Sequence, residues 1–313
     1  MISMKHLRYF VALAQHEHFG RAAESCLISQ PALSLQIKEL EDLLGSPLLE
    51  RNNKKIRLTP LGKTFAERAS AVLQSVNELS ELARASQAPF SGTLRLGMIP
   101  TVAPYLLPAV MKRLAHNYPG VDLRPREAVT DKLIRELNAG KLDAAVVAVP
   151  TSEPNLSEHV LFTEDFLLVR PSRDATLPVP SSHNLAEMRL LLLEEGHCFR
   201  DQALSFCDIN GRAPRDLLEG SSLNTLVQMV GAGIGVTLIP QLAAGIETAT
   251  CDVSVHALHE PRPSRTIGMI WRKTSPMAAQ LKELAELIGE VHAEQRLSNR
   301  VRNRREIKQL GTD

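Results

Sequence analysis

The sequence predicts an α/β protein in two parts: a short helical head ending in a two-stranded wing, then a long helix leading into a domain of alternating strands and helices. Three observations predict it. Apolar residues in the first sixty positions keep a helical period. Leu61, Phe65, Val72, Val76, Leu79 and Leu82 then form one stripe along an unbroken helix from Pro60 to about Gln87. Beyond the linker Ala88-Pro89-Phe90-Ser91-Gly92, strand and helix patterns alternate.

Composition bounds the reading. The 313 residues fit two or three domains. Thirty-six Lys and Arg against 35 Asp and Glu leave a net charge of +1, which excludes a uniformly basic polyanion binder and a disordered acidic chain. There is no signal-peptide pattern and no apolar run of roughly 20 residues, so a cytoplasmic location is expected. Four cysteines make no disulfide scaffold, and in a reducing compartment a disulfide here would be transient or redox-sensing.

In the head, Leu7, Phe10, Val11 and Ala14 mark a first helix. Phe19-Gly20-Arg21-Ala22-Ala23 opens a second, with alanines where helices must approach closely. Ser29-Gln30-Pro31 starts a third: Ser29 suits an N-cap, Pro31 is tolerated in the first turn, and Gly45 stops it. Its apolar stripe is Leu33, Ile37, Leu40 and Leu44. Leu48-Leu49-Glu50-Arg51 and Ile56-Arg57-Leu58-Thr59 flank the turn Asn52-Asn53-Lys54-Lys55 as a wing. The long helix that follows reads as an oligomer seam.

Strands at 93–99, 121–127 and 143–149 alternate with helices at 102–117 and 131–139, which implies a parallel sheet with right-handed crossovers. Further strands are expected at 166–169, 189–193, 235–238 and 267–271, and a closing helix at 281–292. Gly231-Ala232-Gly233-Ile234-Gly235 reads as a helix-to-strand turn, not a nucleotide cradle. After Arg296 comes a basic tail, either a solvated end or an auxiliary anion contact. The expected divisions are 1–60, 61–88, 89–295 and 296–313.

The second and third helices fit a helix–turn–helix, which lays its second helix in the major groove of DNA. Beginning at Ser29 and Pro31, that helix offers Gln30, Ser34, Gln36 and Lys38; glutamine can bond adenine bidentately. Arg21, Arg51, Lys54, Lys55 and Arg57 are the candidates for phosphate contacts. The succession Ala22-Ala23-Glu24, Ser29-Gln30-Pro31-Ala32-Leu33-Ser34, Ile37-Lys38-Glu39-Leu40-Glu41, Leu49-Glu50-Arg51 and Leu58-Thr59-Pro60-Leu61-Gly62 resembles the LysR-type transcriptional regulators. The resemblance covers about residues 1–292. It implies a winged helix–turn–helix on double-stranded promoter DNA, a dimerising linker helix and a two-lobed regulatory domain like a periplasmic binding protein. It also implies a homotetramer built as a dimer of dimers, contact with RNA polymerase and no membrane partner. The basic tail lies outside the shared pattern.

Gly196-His197-Cys198-x-Arg200-Asp201-Gln202 with Cys207, Ile99-Pro100-Thr101-Val102-x-Pro104-Tyr105-Leu106-Leu107-Pro108 and Glu127-Ala128-x-Thr130 resemble the hydrogen-peroxide sensors of that family. Peroxide is attacked by thiolate. A helix starting at Cys198, with His197 and Arg200 beside it, would favour that charge. Oxidation would leave a sulfenic acid, which a second thiol can condense with; Cys207 is the nearest in sequence. The resemblance implies that the Thr101 and Thr130 hydroxyls position peroxide; by residue type alone each fits a helix N-cap. Arg265 is a candidate for stabilising thiolate or leaving oxygen, or equally a surface ion pair. Cys26 and Cys251 read as structural. His197, Cys198 and His183 lack zinc spacing, so neither metal nor cofactor is expected. The expected function is a peroxide-sensing gene regulator, not an enzyme. Its rivals are a regulator answering a small organic anion in the same cleft and a thiol peroxidase.

Overall fold

The computed structural model describes residues 1–50, 56–85, 92–206 and 218–310. The chain divides into two units, residues 1–83 and 84–313.

The first unit holds α1 (Met4–His16), α2 (Phe19–Ser25), α3 (Gln30–Leu44), β1 (Leu49–Glu50), β2 (Arg57–Leu58) and most of α4 (Pro60–Ala85). The apolar positions that set the helical period meet in one core of Phe10, Leu13, Ala22, Ala23, Leu33, Ile37, Leu40 and Leu48. Burying each large side chain contributes roughly 1.5–3 kcal/mol. Ser29 caps α3 by accepting the Ala32 N–H at 3.3 Å, and Gly45, at φ 63°, ends it in the left-handed region that favours glycine. Glu41, near the end of α3, accepts the N–H groups of Leu48 and Leu49 at 2.7 and 3.1 Å, which ties the wing to the helix. β1 and β2 pair antiparallel with Leu49 opposite Leu58. Phe65 of α4 meets Phe10 edge-on at 5.4 Å. Farther along α4, Val72, Val76 and Leu79 stay exposed along the stripe.

The second unit contains β3 (Gly92–Met98), α5 (Ala103–Asn117), β4 (Val121–Glu127), α6 (Thr130–Asn138), β5 (Ala144–Val149), β6 (Leu156–Pro171), α7 (Ser182–Glu187), β7 (Leu190–Leu193) and α8 (Cys198–Phe206). It continues through β8 (Leu218–Gly220), α9 (Leu223–Gly231), β9 (Val236–Pro240), α10 (Gln241–Glu247), β10 (Val253–Ala257), β11 (Ser264–Arg272) and α11 (Ala278–Leu310). Two apolar cores divide it into lobes. Lobe one packs β3, β4, β5, β11 and the first part of β6 against α5, α6 and α11. Lobe two packs β7, β9 and the end of β6 against α8, α9 and α10, with β8 and β10 completing its sheet.

The parallel sheet expected for the first three strands is found as β4-β3-β5, and β8-β7-β9 makes a second parallel piece. The strands between them, for which no direction was expected, run antiparallel. β6 and β11 are antiparallel to each other, β11 is antiparallel to β5, and β6 to β9 and β10. The reason is topological: β6 carries the chain out of lobe one and β11 brings it back, so the pair must run in opposite directions. The closing helix is also longer than expected and runs to Leu310. No Gly or Pro interrupts residues 290–310, and Gly311 is the first breaker. The local pattern gives no range for α7, α9, α10, β8 or β10, although Ser222 caps α9 and Leu223, Leu226, Val227 and Val230 carry its buried stripe. Residues 231–235 do form the helix-to-strand turn. His292 of α11 lies flat on Phe162 of β6, ring centroids 3.6 Å apart.

Candidate functional site: a reading helix and a thiol crevice

On the head, the polar face of α3 points to solvent. Gln30, Pro31, Ser34 and Lys38 are exposed, as are Arg21 on α2 and Arg57 on β2. Two expected readers are already engaged. Ser29 spends its hydroxyl on the cap, and the half-buried Gln36 donates to Glu39 at 2.9 Å. Arg21 also donates to the His16 carbonyl at 3.4 Å. Arg51, Lys54 and Lys55 lie outside the described residues, so of the basic wing only Arg57 is placed. Cys26 caps the end of α2, half-buried beside Ser25 and apart from the core.

In the second unit, three chain segments converge where the parallel strands end. Ile99, Pro100 and Thr101 follow β3; Val129 and Thr130 follow β4; His197, Cys198 and Phe199 follow β7. Ligands in open α/β sheets collect at such carboxyl ends. The residues line a narrow crevice holding about 180 Å3 of empty space, its open mouth included.

Cys198 is a free thiol, half-buried, and the first residue of α8. Gly196 makes the turn before it at φ 92°, a conformation that favours glycine. The positive end of the helix dipole favours negative charge there. The two neighbouring cations do less than the sequence implied. Arg200 is buried and turned away: its Nη1 donates to the Leu193 carbonyl at 3.1 Å and to the Glu219 carboxylate. Burial lowers the His197 pKa below its usual 6.5, against a weaker upward pull from Glu194, so its imidazole is mostly neutral near pH 7.

The two threonines differ. Thr130 does not cap α6: the cap position is Val129, and Thr130 is the first helical residue. Its Oγ1 is buried with no hydrogen-bond partner. A buried hydroxyl without a partner costs about 1–3 kcal/mol. Thr101 sits two residues before α5 and is buried. Its Oγ1 accepts from Arg265 Nη1 at 2.7 Å, and its carbonyl accepts from Nη2 at 3.1 Å.

Arg265 is not a surface residue. It is 2% exposed, paired with Glu164 at 2.8 Å, and its guanidinium carbon lies 5.3 Å from the Phe199 ring centroid. Removing one partner of such a pair costs about 3–5 kcal/mol, so Arg265 supports the fold as well as the crevice. Glu164 and Phe199 are the site residues that sequence reasoning missed. An isolated Glu in a strand carries no local signal, since its partner lies 101 positions away. Cys207 lies outside the described residues. Cys251 is half-buried against the core of lobe two, its Sγ donating to the Glu247 carbonyl at 3.5 Å. Among the described residues, no group of His, Cys, Asp and Glu could hold a metal ion, and no helix is long and apolar enough to cross a membrane.

Comparison with known proteins places both halves. Residues 4–63 match the bacterial regulatory helix-turn-helix family of LysR type, and residues 87–293 match the LysR substrate binding domain. A probable hydrogen peroxide-inducible genes activator of Streptomyces viridosporus is 43% identical over 92% of this chain and 94% of its own. The DNA-binding transcriptional dual regulator OxyR of Escherichia coli K12 is 41% identical over 92% and 95%. Among solved structures, a full-length OxyR of Pseudomonas aeruginosa with a cysteine-to-aspartate change superposes with a TM-score of 0.70, at 36% identity over 92% of this chain and 95% of that one. A hydrogen-peroxide-bound OxyR cysteine mutant of Corynebacterium glutamicum gives 0.64 at 31% identity, over 93% of each chain. This chain therefore belongs to the LysR family of transcriptional regulators, and within it to the OxyR proteins.

Proposed function

We propose that this chain is a cytoplasmic transcriptional regulator that binds promoter DNA through α3 and the wing and senses hydrogen peroxide at Cys198. One observation carries the reading: a free thiol at a helix start opens onto a narrow crevice beside one hydroxyl with no partner and another held by a buried arginine. Peroxide has two oxygens, and each needs hydrogen bonds. The Thr130 hydroxyl is free to supply one, and the Thr101 proton another.

The chemistry runs in two steps. The Cys198 thiolate attacks one peroxide oxygen; the O–O bond breaks, an S–O bond forms, and the other oxygen leaves as hydroxide and becomes water by taking a proton. The sulfur has then lost two electrons. Cys207 as thiolate attacks the sulfenic sulfur; an S–S bond forms, the S–O bond breaks, and hydroxide leaves and is protonated.

The second step cannot occur on an intact α8. The helix runs through Phe206, which puts that residue about 12 Å along the axis from Cys198. One peptide unit spans about 3.8 Å. Any residue bonded to Phe206 therefore keeps its Cα more than about 8 Å from that of Cys198, beyond the roughly 7 Å limit of a disulfide. Forming the bond requires α8 to unwind. Oxidation thus selects a second local fold, which re-spaces DNA-binding heads paired through the exposed face of α4 in a dimer of dimers. A changed footprint would then alter recruitment of RNA polymerase.

The rival readings are weaker. Among the described residues, neither arginine nor lysine lines the crevice to pair with an organic anion, and a regulator that reacts once per signal is not an enzyme. The test is peptide mapping of full-length protein after brief exposure to stoichiometric peroxide. We expect a 198–207 link and a shifted DNA footprint. An unmodified Cys198, or sustained turnover of peroxide with a reductant, would overturn the proposal.

A further inference from the structure

We infer that Glu164 is a positioning residue for the peroxide reaction, acting through Arg265 on the Thr101 hydroxyl. This rests on the peroxide-sensing reading of Cys198. Glu164 lies on β6 directly opposite Arg265 on β11, where the strand pair passes from one lobe to the other. It is 3% exposed. Its Oε1 accepts from Arg265 Nε at 3.0 Å and from Nη2 at 2.8 Å, while its Oε2 accepts from the Leu242 N–H of lobe two at 2.7 Å. Both carboxylate oxygens are engaged, so the carboxylate is itself fixed.

Two donors on one carboxylate set the plane of a guanidinium. With that edge held, the rest of the group faces Thr101, where Nη1 reaches Oγ1 and Nη2 reaches the carbonyl. A hydroxyl has one proton and two lone pairs. Because Thr101 Oγ1 accepts from a cation, its proton must point away from Arg265, and Thr101 is one of the residues that line the crevice with Cys198. The charged donor also polarises the O–H bond and makes it a better donor. When the thiolate breaks the O–O bond, negative charge develops on the departing oxygen. A hydroxyl fixed before the reaction lowers that barrier. Glu164 supplies the fixing and touches neither sulfur nor peroxide.

The test compares two reactions of the same sulfur in full-length protein. Hydrogen peroxide needs a proton donor for its leaving oxygen; iodoacetamide releases iodide and does not. Glu164→Gln keeps the shape but offers one acceptor oxygen where Arg265 and the Leu242 N–H need two. We expect it to slow the peroxide reaction about 10- to 100-fold. The alkylation rate should change by no more than about twofold, the ordinary error of additivity. Thr101→Val should show the same selective loss, and the double variant should be no slower than Thr101→Val alone. Glu164→Asp, which keeps the charge but shortens the reach, should also lose peroxide rate selectively, and it serves if the Gln variant fails to fold. The inference is overturned if peroxide rates are unchanged, if both reactions slow equally, or if the Glu164 and Thr101 losses multiply. Should wild-type Cys198 prove no faster with peroxide than a free thiol, the peroxide-sensing reading itself fails, whatever the Glu164 variants do.

Discussion

The reading head and the thiol crevice solve opposite problems. In the head, Gln30, Ser34, Lys38 and Arg57 stand in solvent on a surface whose far side is a closed apolar core. At the crevice, Thr101 and the Arg265 and Glu164 behind it are almost completely buried, with Arg265 bonded to both of the others. A DNA duplex brings its own polar groups to an exposed surface, so the protein need only hold a helix in place. A two-oxygen reactant brings little binding energy, so the protein must fix its donors in advance. Changes in the head should therefore act on stability or affinity, and changes in the crevice on rate.

The largest effect expected is from Cys198→Ser. It should abolish the peroxide-induced footprint change and leave operator binding without peroxide intact, as footprinting in both conditions would show. A variant that still responds would break the assignment of the trigger to this sulfur. Next is Leu33→Ala, which empties the centre of the head. It should cost about 2–5 kcal/mol in denaturant unfolding of the head and leave the Cys198 reaction rate unchanged. Loss of both would show that the two regions are not energetically separate.

Thr130→Val sharpens the contrast. Replacing an unpartnered buried hydroxyl by a methyl should leave the melting temperature equal or higher while the peroxide rate falls about tenfold. A drop in melting temperature would mean that the hydroxyl has a structural partner. Arg57→Ala should weaken all DNA sequences alike and reduce the slope of log affinity against log salt by about one. A change in base preference instead would make Arg57 a reader.

The smallest effect is on pH dependence. Burial, and secondarily Arg296, lower the His292 pKa from 6.5 to about 4. In acid the unfolded chain binds this proton before the folded one does. The contribution of His292 is thus complete above about pH 6.5 and is lost as pH falls toward about 4. His292→Phe should keep the stack on Phe162 and flatten the decline in melting temperature across that window.

Elements whose signals are local are legible in the order of residues. The cap at Ser29, the stop at Gly45, the buried stripe of α3, the wing and the alternation from β3 to β5 all follow from neighbours a few residues apart. So does the helix start at Cys198, since a Gly turn and a helical pattern are read within ten positions. What those residues touch is set by the packed fold. It set β6 and β11 antiparallel, turned Arg200 toward Glu219, left Thr130 unpaired and locked Arg265 between Glu164 and Thr101. Backbone conformation is chosen by steric and hydrogen-bonding terms that act over one or two turns. The partner of a buried charge is chosen by which distant segments the packed core brings within about 3 Å, and no window of sequence contains both ends of that bond.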